Sequence, residues 1–547
     1  MSDPSAFEQM MLEYLNRARL DPQGEFDRFI VSTDPVQAID SKITSALKYF
    51  SVDLNVYRQQ LEGLEPAAPL AWNSALNDAA TAHSQLMIQQ DTQSHVLPGE
   101  SGLGTRIGAA GYDHWAYVAE NIYAYTYSPA YGHAGFFIDW GNTPTGIQTP
   151  AGHRNSIMNP NLTEVGIGVV EDNNPGTAVG PYVVTQDFGT RWDYEAQFVG
   201  VVYDDDDVDV FYSMGEGRDG VTVVVSPEGG VGGATETQAA GGYQIEGLSG
   251  MNTVTFSGGG LSGAVSVDVM FGDENVKVDL VNGTRIESSA DAELGGGAVD
   301  LTLLGQGSID AIGNSSGNAL LGNSSDNLLW GRAGNDRLDA GGGDDTLKGN
   351  TGNDTIAGGE GDDWAHAGKH DDLLDGGNGS DRMYGGSGSD TLVGGEGSDW
   401  LQGNADADVL YGGNGSDWIH GGMGNDAIHG GPGSDTLIGG EGQDRFVYES
   451  PSDSTPGLYS RDVISGGFDN PGIVVGDQVD VSEMGLFLLL GQADFRGSGV
   501  GEIRLGSSGG DSIIQGDING DGIADFEILV EDVFASAFTT DDFIGVI

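Results

Sequence analysis

Thirteen aspartates stand nine residues apart without a break: Asp336, Asp345, Asp354, Asp363, Asp372, Asp381, Asp390, Asp399, Asp408, Asp417, Asp426, Asp435 and Asp444. Glycine occupies the position five residues before the Asp in 11 of 13 repeats and two residues before it in 11 of 13, and an apolar residue follows two positions after each Asp, from Leu338 to Phe446. The unit reads Gly-Gly-x-Gly-x-Asp-x-apolar-x, as in 376–384 and 430–438. Glycine allows the positive-φ backbone of a tight turn and leaves carbonyls open. With the carboxylate, each turn offers the hard oxygen ligands that Ca²⁺ prefers. His370 and Asp406 stand where Gly is expected, so weaker ion sites are expected there, and Asn318 and Asn327 continue the phase upstream as a cap.

Two further acidic runs have ligand spacing. Asp517, Asn519, Asp521 and Asp525 fall at positions 1, 3, 5 and 9 of an EF-hand-like loop, with Gly522 at the sharp turn but Ile528 in place of the closing Glu. Asp205, Asp207, Asp209 and Glu216 fall at positions 1, 3, 5 and 12, with Val210 where the loop needs Gly. Each run reads either as a calcium loop or as a solvated acidic turn.

These ligands must be positioned. In the nonapeptides a short strand carries one inward apolar residue, which a single turn cannot bury but stacked turns can. Elsewhere Phe7, Met10, Met11, Tyr14, Leu15 and Ala18 share a helical face, a second helix is expected from about Asn73 to Gln90, a shorter one over 132–140, and strands over 165–170 and 182–189. Strand-like runs at 198–203, 220–225, 242–248, 252–256, 264–271 and 275–281 alternate with Gly-rich turns.

Composition narrows the function. The 547 residues hold 83 Asp plus Glu against 21 Lys plus Arg, a formal charge of −62, with 93 Gly and no Cys. A nucleic-acid partner needs a basic surface, and anionic lipid repels this chain. No run of about 18 apolar residues exists, so no spanning helix is expected. Absence of Cys removes disulfides, thiolate metal sites and cysteine nucleophiles.

The nonapeptide region resembles the RTX (hemolysin-type, serralysin-like) family. That resemblance implies a right-handed parallel β-roll in which two nonapeptides make one coil and Ca²⁺ lies between successive loops, up to about 11 ions in all. The runs 461–470, 476–484 and 517–528 resemble the region that follows such repeats in serralysin-type secreted proteins, and the ending Asp541-Asp542-Phe543-Ile544-Gly545-Val546-Ile547 resembles an uncleaved type I export signal. The start, MSDPSAFEQM, has neither a basic nor an apolar signal-peptide region. A protein secreted by a Gram-negative bacterium through a type I apparatus is expected, with an extracellular ligand that the sequence does not name.

The N-terminal residues resemble the CAP superfamily (SCP-like), through LNRAR (15–19), PLAWNSALNDAATAHS (69–84), SHVLPG (94–99), RIGAAGY (106–112), AENI (119–122), DW (139–140), AGHRNSIMNP (151–160), VGIGV (165–169) and TQDFG (185–189). The resemblance implies an α-β-α sandwich with a cleft of two His and two acidic residues, carried here by His95, Glu120 and His153, with Asp139 and His83 as further candidates. Such a cleft can bind Zn²⁺ or act as an acid–base pair; hydrogen-bonded core histidines are the competing reading. A binding module, a hydrolase (a metal-assisted protease) and a lipid or sterol carrier all remain open. The expected domains are the CAP-like region (1–190), a small β-sandwich spacer resembling Cna-B or carboxypeptidase-regulatory modules (196–285), a linker and roll cap (286–326), the β-roll (327–446) and a β-rich C-terminal region (447–547).

Overall fold

Ser5 caps the first helix, Ala6–Leu20, accepting from Glu8 N at 3.3 Å while Glu8 Oε2 accepts from Ser5 N at 2.9 Å. Arg19, on that helix, is 1% exposed and donates to the carbonyls of Ala68, Ile157, Asn159 and Leu162, so it ties three separate chain segments together. The computed structural model describes residues 3–174, 176–465, 476–497 and 499–547, and the chain divides into two compact units, 1–307 and 308–547.

In the first unit a four-stranded sheet runs in the order Ala71–Trp72, Glu164–Glu171, Tyr182–Arg191, Trp115–Thr126, all pairs antiparallel except the first. The helix Ser74–Gln90, capped by Asn73, lies on one face. Gly166 and Gly168 allow its close approach, because a Cβ at either would overlap the helix backbone at Asn77 and Thr81. On the other face Val165, Ile167, Val184 and Phe188 pack with Met11 and Leu15 of the first helix and with Phe136 and Phe137 of the helix Pro129–Ile138. This is the three-layer α-β-α arrangement. Helices at Glu25–Phe29, Ser41–Phe50, Leu54–Glu62, Leu103–Ala109 and Gly152–Ile157 complete it.

The same unit holds a second pair of sheets. One runs Gly233–Glu236, Val221–Pro227, Gly250–Gly258, Val265–Phe271, Ala292–Leu294; the other runs Gly242–Glu246, Gln197–Tyr203, Val276–Val281, Arg285–Ser288, Asp300–Leu303. Phe198 and Phe271 meet between them with ring centroids 4.4 Å apart. Residues from 286 onward, expected to be linker, instead enter these sheets with Ile286, Leu301 and Leu303 buried. Nor is this region a detached spacer. Lys277 is buried and its Nζ lies 2.6 Å from Glu13 Oε2 on the first helix, and Asn275 Nδ2 donates to the carbonyls of Pro69 and Thr163.

The second unit is a β-roll of parallel strands. Successive strands of each sheet are offset by 18 residues, so Leu338, Ile356, Leu374, Leu392, Leu410, Ile428 and Phe446 stack in one register, and Leu329, Leu347, Ala365, Met383, Leu401, Ile419 and Leu437 in the other. All fourteen are 0–4% exposed. Burying each Leu or Ile contributes about 1.5–3 kcal/mol, which only the stacked form can collect. Beyond 446, Asp462–Ile464 and Gln478–Asp480 extend the two sheets, and a meander of Glu502–Ser508, Asp511–Asp517 and Phe526–Val530 joins the first of these extensions. The sequence run 461–470 lies outside the described residues from 466 on. Among the described residues no helix is long and apolar enough to cross a membrane.

Candidate functional site

Each repeat aspartate does two things. Its Oδ1 accepts a hydrogen bond from the backbone N–H of the equivalent residue one coil earlier: Asp336 N to Asp354 at 2.8 Å, Asp363 N to Asp381 at 2.8 Å, Asp399 N to Asp417 at 2.9 Å, and so through the roll. Its Oδ2 is buried and has no hydrogen-bond partner, in all thirteen repeats. Carbonyls gather nearby: the space beside Gly358 is bordered by both Asp363 Oδ2 and the carbonyl of Gly376, and the space beside Gly376 by Asp381 Oδ2 and the carbonyl of Gly394. Burial pushes the carboxyls up, Asp381 and Asp399 to about 6 and Asp372 and Asp408 to about 8. A buried anionic oxygen without a partner costs several kcal/mol. Thirteen such oxygens in register, among backbone carbonyls, have the chemistry that a hard divalent cation such as Ca²⁺ prefers.

The ladder runs further than the nine-residue period. Asp435 N donates to Asp462 Oδ1 at 3.0 Å and Asp444 N to Asp477 Oδ1 at 2.9 Å, and Asp462 Oδ2 is again buried without a partner. Both residues keep the Asp-x-apolar signature, with Ile464 and Val479 two positions on, and that is the signal by which the sequence could have disclosed them. At the other end Asn318 N and Asn327 N donate to Asp336 and Asp345.

The two EF-like runs differ from the roll and from each other. In the 517–525 loop the carboxylates are already occupied: Asp517 accepts from the N–H of Gly520, Asp521 and Gly522, and Asp525 from Ile518 and Asn519. At 205–216 the carboxylate oxygens of Asp205, Asp207 and Asp209 lie within 4.8 Å of one another, the one such convergence of three acidic or imidazole donors among the described residues. Glu216 accepts from Asp206 N and Ser213 N, and Val210 takes the positive φ of +62° that the loop's sixth position requires.

In the α-β-α region the expected triad divides. His95 Nδ1 lies 2.8 Å from Glu120 Oε1, and the His95 side chain is 58% exposed. Glu120 also meets the Arg106 guanidinium, and His83 Nε2 is 4.0 Å away with Nδ1 held by Glu100 at 2.7 Å. His153 belongs to a separate pair: Asp139 Oδ1 is 2.9 Å from its Nδ1 and Asp139 Oδ2 accepts its backbone N–H. Strand alternation explains the division. Glu120 points toward the helix Ser74–Gln90 that carries His83, and its neighbour Asn121, on the opposite face, donates to the His153 carbonyl.

Asp187 completes the first cluster. It faces Glu120 across the strand pair, is fully buried, and neither of its oxygens has a donor. Burial first, and the charge of Glu120 second, push its carboxyl well up. The sequence offered Asp187 as part of a strand and of the matching run 185–189, and Arg106 as the start of the run 106–112, while nothing in it singled out Glu100. A zinc ion fits this set poorly, because Arg106 already supplies the cation between Glu120 and Glu100, which lies 3.5 Å from Arg106 Nε. The arrangement suits proton exchange, with a solvent-reachable imidazole on a carboxylate that has a second, buried carboxyl behind it.

Two family models agree with the two folds. Residues 53–188 match the CAP, Cysteine-rich secretory protein family. Residues 312–347, 348–383, 384–419 and 420–449 match the RTX calcium-binding nonapeptide repeat. No curated protein matches the chain. Among solved structures, an extracellular protein containing a SCP domain from Bacillus anthracis str. Ames is similar at 22% identity and a TM-score of 0.18, over 29% of this chain and 44% of that one. The chain therefore carries a CAP domain at 53–188 and four RTX calcium-binding repeat segments across 312–449.

Proposed function

We propose that this is an extracellular calcium-dependent binding protein: the roll folds when calcium reaches its turns outside the exporting cell, and the CAP-bearing unit acts as a binding module toward other cells or matrix. The observation that carries it is the row of thirteen buried Asp Oδ2 atoms without partners. Extracellular sites of this kind have Kd of about 10⁻⁴–10⁻³ M, so the cytosol leaves them empty and carboxylate repulsion keeps the repeats unfolded for one-step export from a Gram-negative cell. Bound calcium supplies the positive charge the turns lack, and its binding free energy becomes folding free energy. The test is far-UV circular dichroism of the full chain against calcium, read with hydrogen exchange of 330–446. Protection of that segment in millimolar calcium and its loss in excess EDTA support the reading; a segment that stays protected in EDTA overturns it.

A second reading, an extracellular hydrolase, is favoured by the exposed His95 imidazole 2.8 Å from Glu120. His95 is then the general base, Glu120 orients it, and Asp187 holds a proton beside Glu120. A panel of ester and peptide substrates tests it with His95→Ala: turnover lost with the fold intact supports hydrolysis, and turnover unchanged removes His95 from any reaction.

A further inference from the structure

One outer face of the roll departs from the rest of this acidic chain. The strands from Leu328–Ala333 to Thr436–Glu441, seven in one sheet, present fourteen outward positions flanking their buried residues. None is Asp or Glu, although the chain has 83 of them. Instead the face carries four of the eight tryptophans, Trp330, Trp364, Trp400 and Trp418, together with Tyr384. Trp364, Arg382, Trp400 and Trp418 stand in one register on consecutive coils. Trp400 is 39% exposed and stacks on Trp418 with centroids 3.7 Å apart, and Trp364 lies 5.9 Å from Tyr384. Arg382, between the rings, is exposed and forms no ion pair among the described residues, in a chain with four acids for each base.

We propose that this face is a docking platform for a neutral polysaccharide laid across the coils. Trp, Tyr and a weakly hydrated guanidinium shed water easily, whereas carboxylates do not, so the strip is the readily dried part of a heavily hydrated molecule. Its partner needs apolar faces to stack on rings and hydroxyl edges to accept from Arg382 and the indole N–H groups. A pyranose chain has both, and the coil spacing of about 4.8 Å is close to the length of one sugar unit. Charge selects against the other partners of aromatic faces. The chain is −62 without ions and still about −40 with some 11 Ca²⁺ in the roll, so nucleic acid, anionic lipid and a second copy of the chain are all repelled. The platform rests on the calcium-folded roll proposed above, since without stacking the rings have no common plane.

The test is cosedimentation of the full chain with insoluble cellulose and chitin in millimolar calcium, and quenching of tryptophan fluorescence by soluble xyloglucan. Trp400→Ala/Trp418→Ala, both outward positions, is compared with Leu373→Ala on the opposite sheet, after hydrogen exchange confirms that each roll is folded, so that a failure of calcium folding is seen separately. Retention on at least one of these glycans, weakened about tenfold or more by the double variant, unchanged by Leu373→Ala and insensitive to salt, is the expected result. Three results overturn it: a folded roll retained on none of them, retention that the double variant leaves intact, or calcium-dependent dimerisation that the double variant abolishes.

Discussion

Asp354 Oδ1 accepts the backbone N–H of Asp336 at 2.8 Å, one coil away, while Asp354 Oδ2 is buried without a partner. One carboxylate oxygen thus serves as a rung of the protein's own ladder, and the other is left facing the turn without a hydrogen-bond partner. At the cap, Asn318 Oδ1 accepts from Asn314 N at 2.8 Å, so an amide can hold a turn without adding charge. Asp399→Asn should therefore keep the rung from Asp381 N and lose the anionic oxygen. The expected outcome is a calcium midpoint raised about tenfold, with no loss of residual β-signal in EDTA, read by circular dichroism. An unchanged midpoint would remove Asp399 from the ion ligands.

The two edges of the roll are not equivalent. On the edge that leads into the tryptophan-bearing sheet, the positive-φ turn positions are all glycine, from Gly341 and Gly343 to Gly413 and Gly415. On the other edge Arg332, Asn350, His370, Asn404 and Asp406 hold φ between +75° and +83°. A left-handed non-glycine residue costs about 1–2 kcal/mol. His370→Gly with Asp406→Gly should lower the calcium concentration needed for folding several-fold, while Gly361→His on the all-glycine edge should raise it. Hydrogen exchange of peptides from each edge, followed against calcium, resolves the two; equal midpoints in the wild type would show that the edges are matched.

Legibility in the sequence followed the range of the interactions. The roll repeats a local unit, so its period, its inward residues and its row of aspartates could be read directly. Asp462 and Asp477 escaped because insertions move them 27 and 33 residues from their partners. Residues 286–303 look like linker because Gly295-Gly296-Gly297 breaks up short apolar pieces, yet Ile286, Leu301 and Leu303 are buried on two strands that pair within one sheet. In the CAP domain the motifs located His95, Glu120 and His153, but adjacency in sequence hid the alternation that sends Glu120 and Asn121 to opposite faces. Asp187 became a functional candidate only through its burial against Glu120, which is a tertiary property.

Acid should weaken the first unit through Glu25. Its carboxylate is completely buried, which alone would raise it, but Arg17 at 2.6 Å and the imidazole of His133 at 3.2 Å outweigh burial and hold it at about 2. A carboxylate depressed by folding stabilises at pH values above its ordinary value near 4.5 and loses that contribution as pH falls toward 2. The shift corresponds to about 3 kcal/mol. Hydrogen exchange of the helix Ala6–Leu20 should fall in protection between pH 5 and pH 3, and Glu25→Gln should lower protection at pH 7 and flatten the dependence. A wild-type profile as flat as the variant's would mean that Glu25 is not held ionised.

Val210 bears on whether the loop at 205–216 is an ion site or a hinge. It adopts φ +62° and Val208 φ +60°, conformations that β-branched residues rarely take. The convergence of Asp205, Asp207 and Asp209 within 4.8 Å occurs in spite of that strain. Val210→Gly relieves about 1–2 kcal/mol, so if the loop takes calcium, hydrogen-exchange protection of residues 203–218 should appear at a calcium concentration lower by about tenfold. The roll is a separate set of sites and its own midpoint should not move. Protection that ignores calcium in both proteins would leave the three aspartates as a solvated hinge, held by the backbone hydrogen bonds from Asp209 N to Asp205 and from Ser213 N to Glu216.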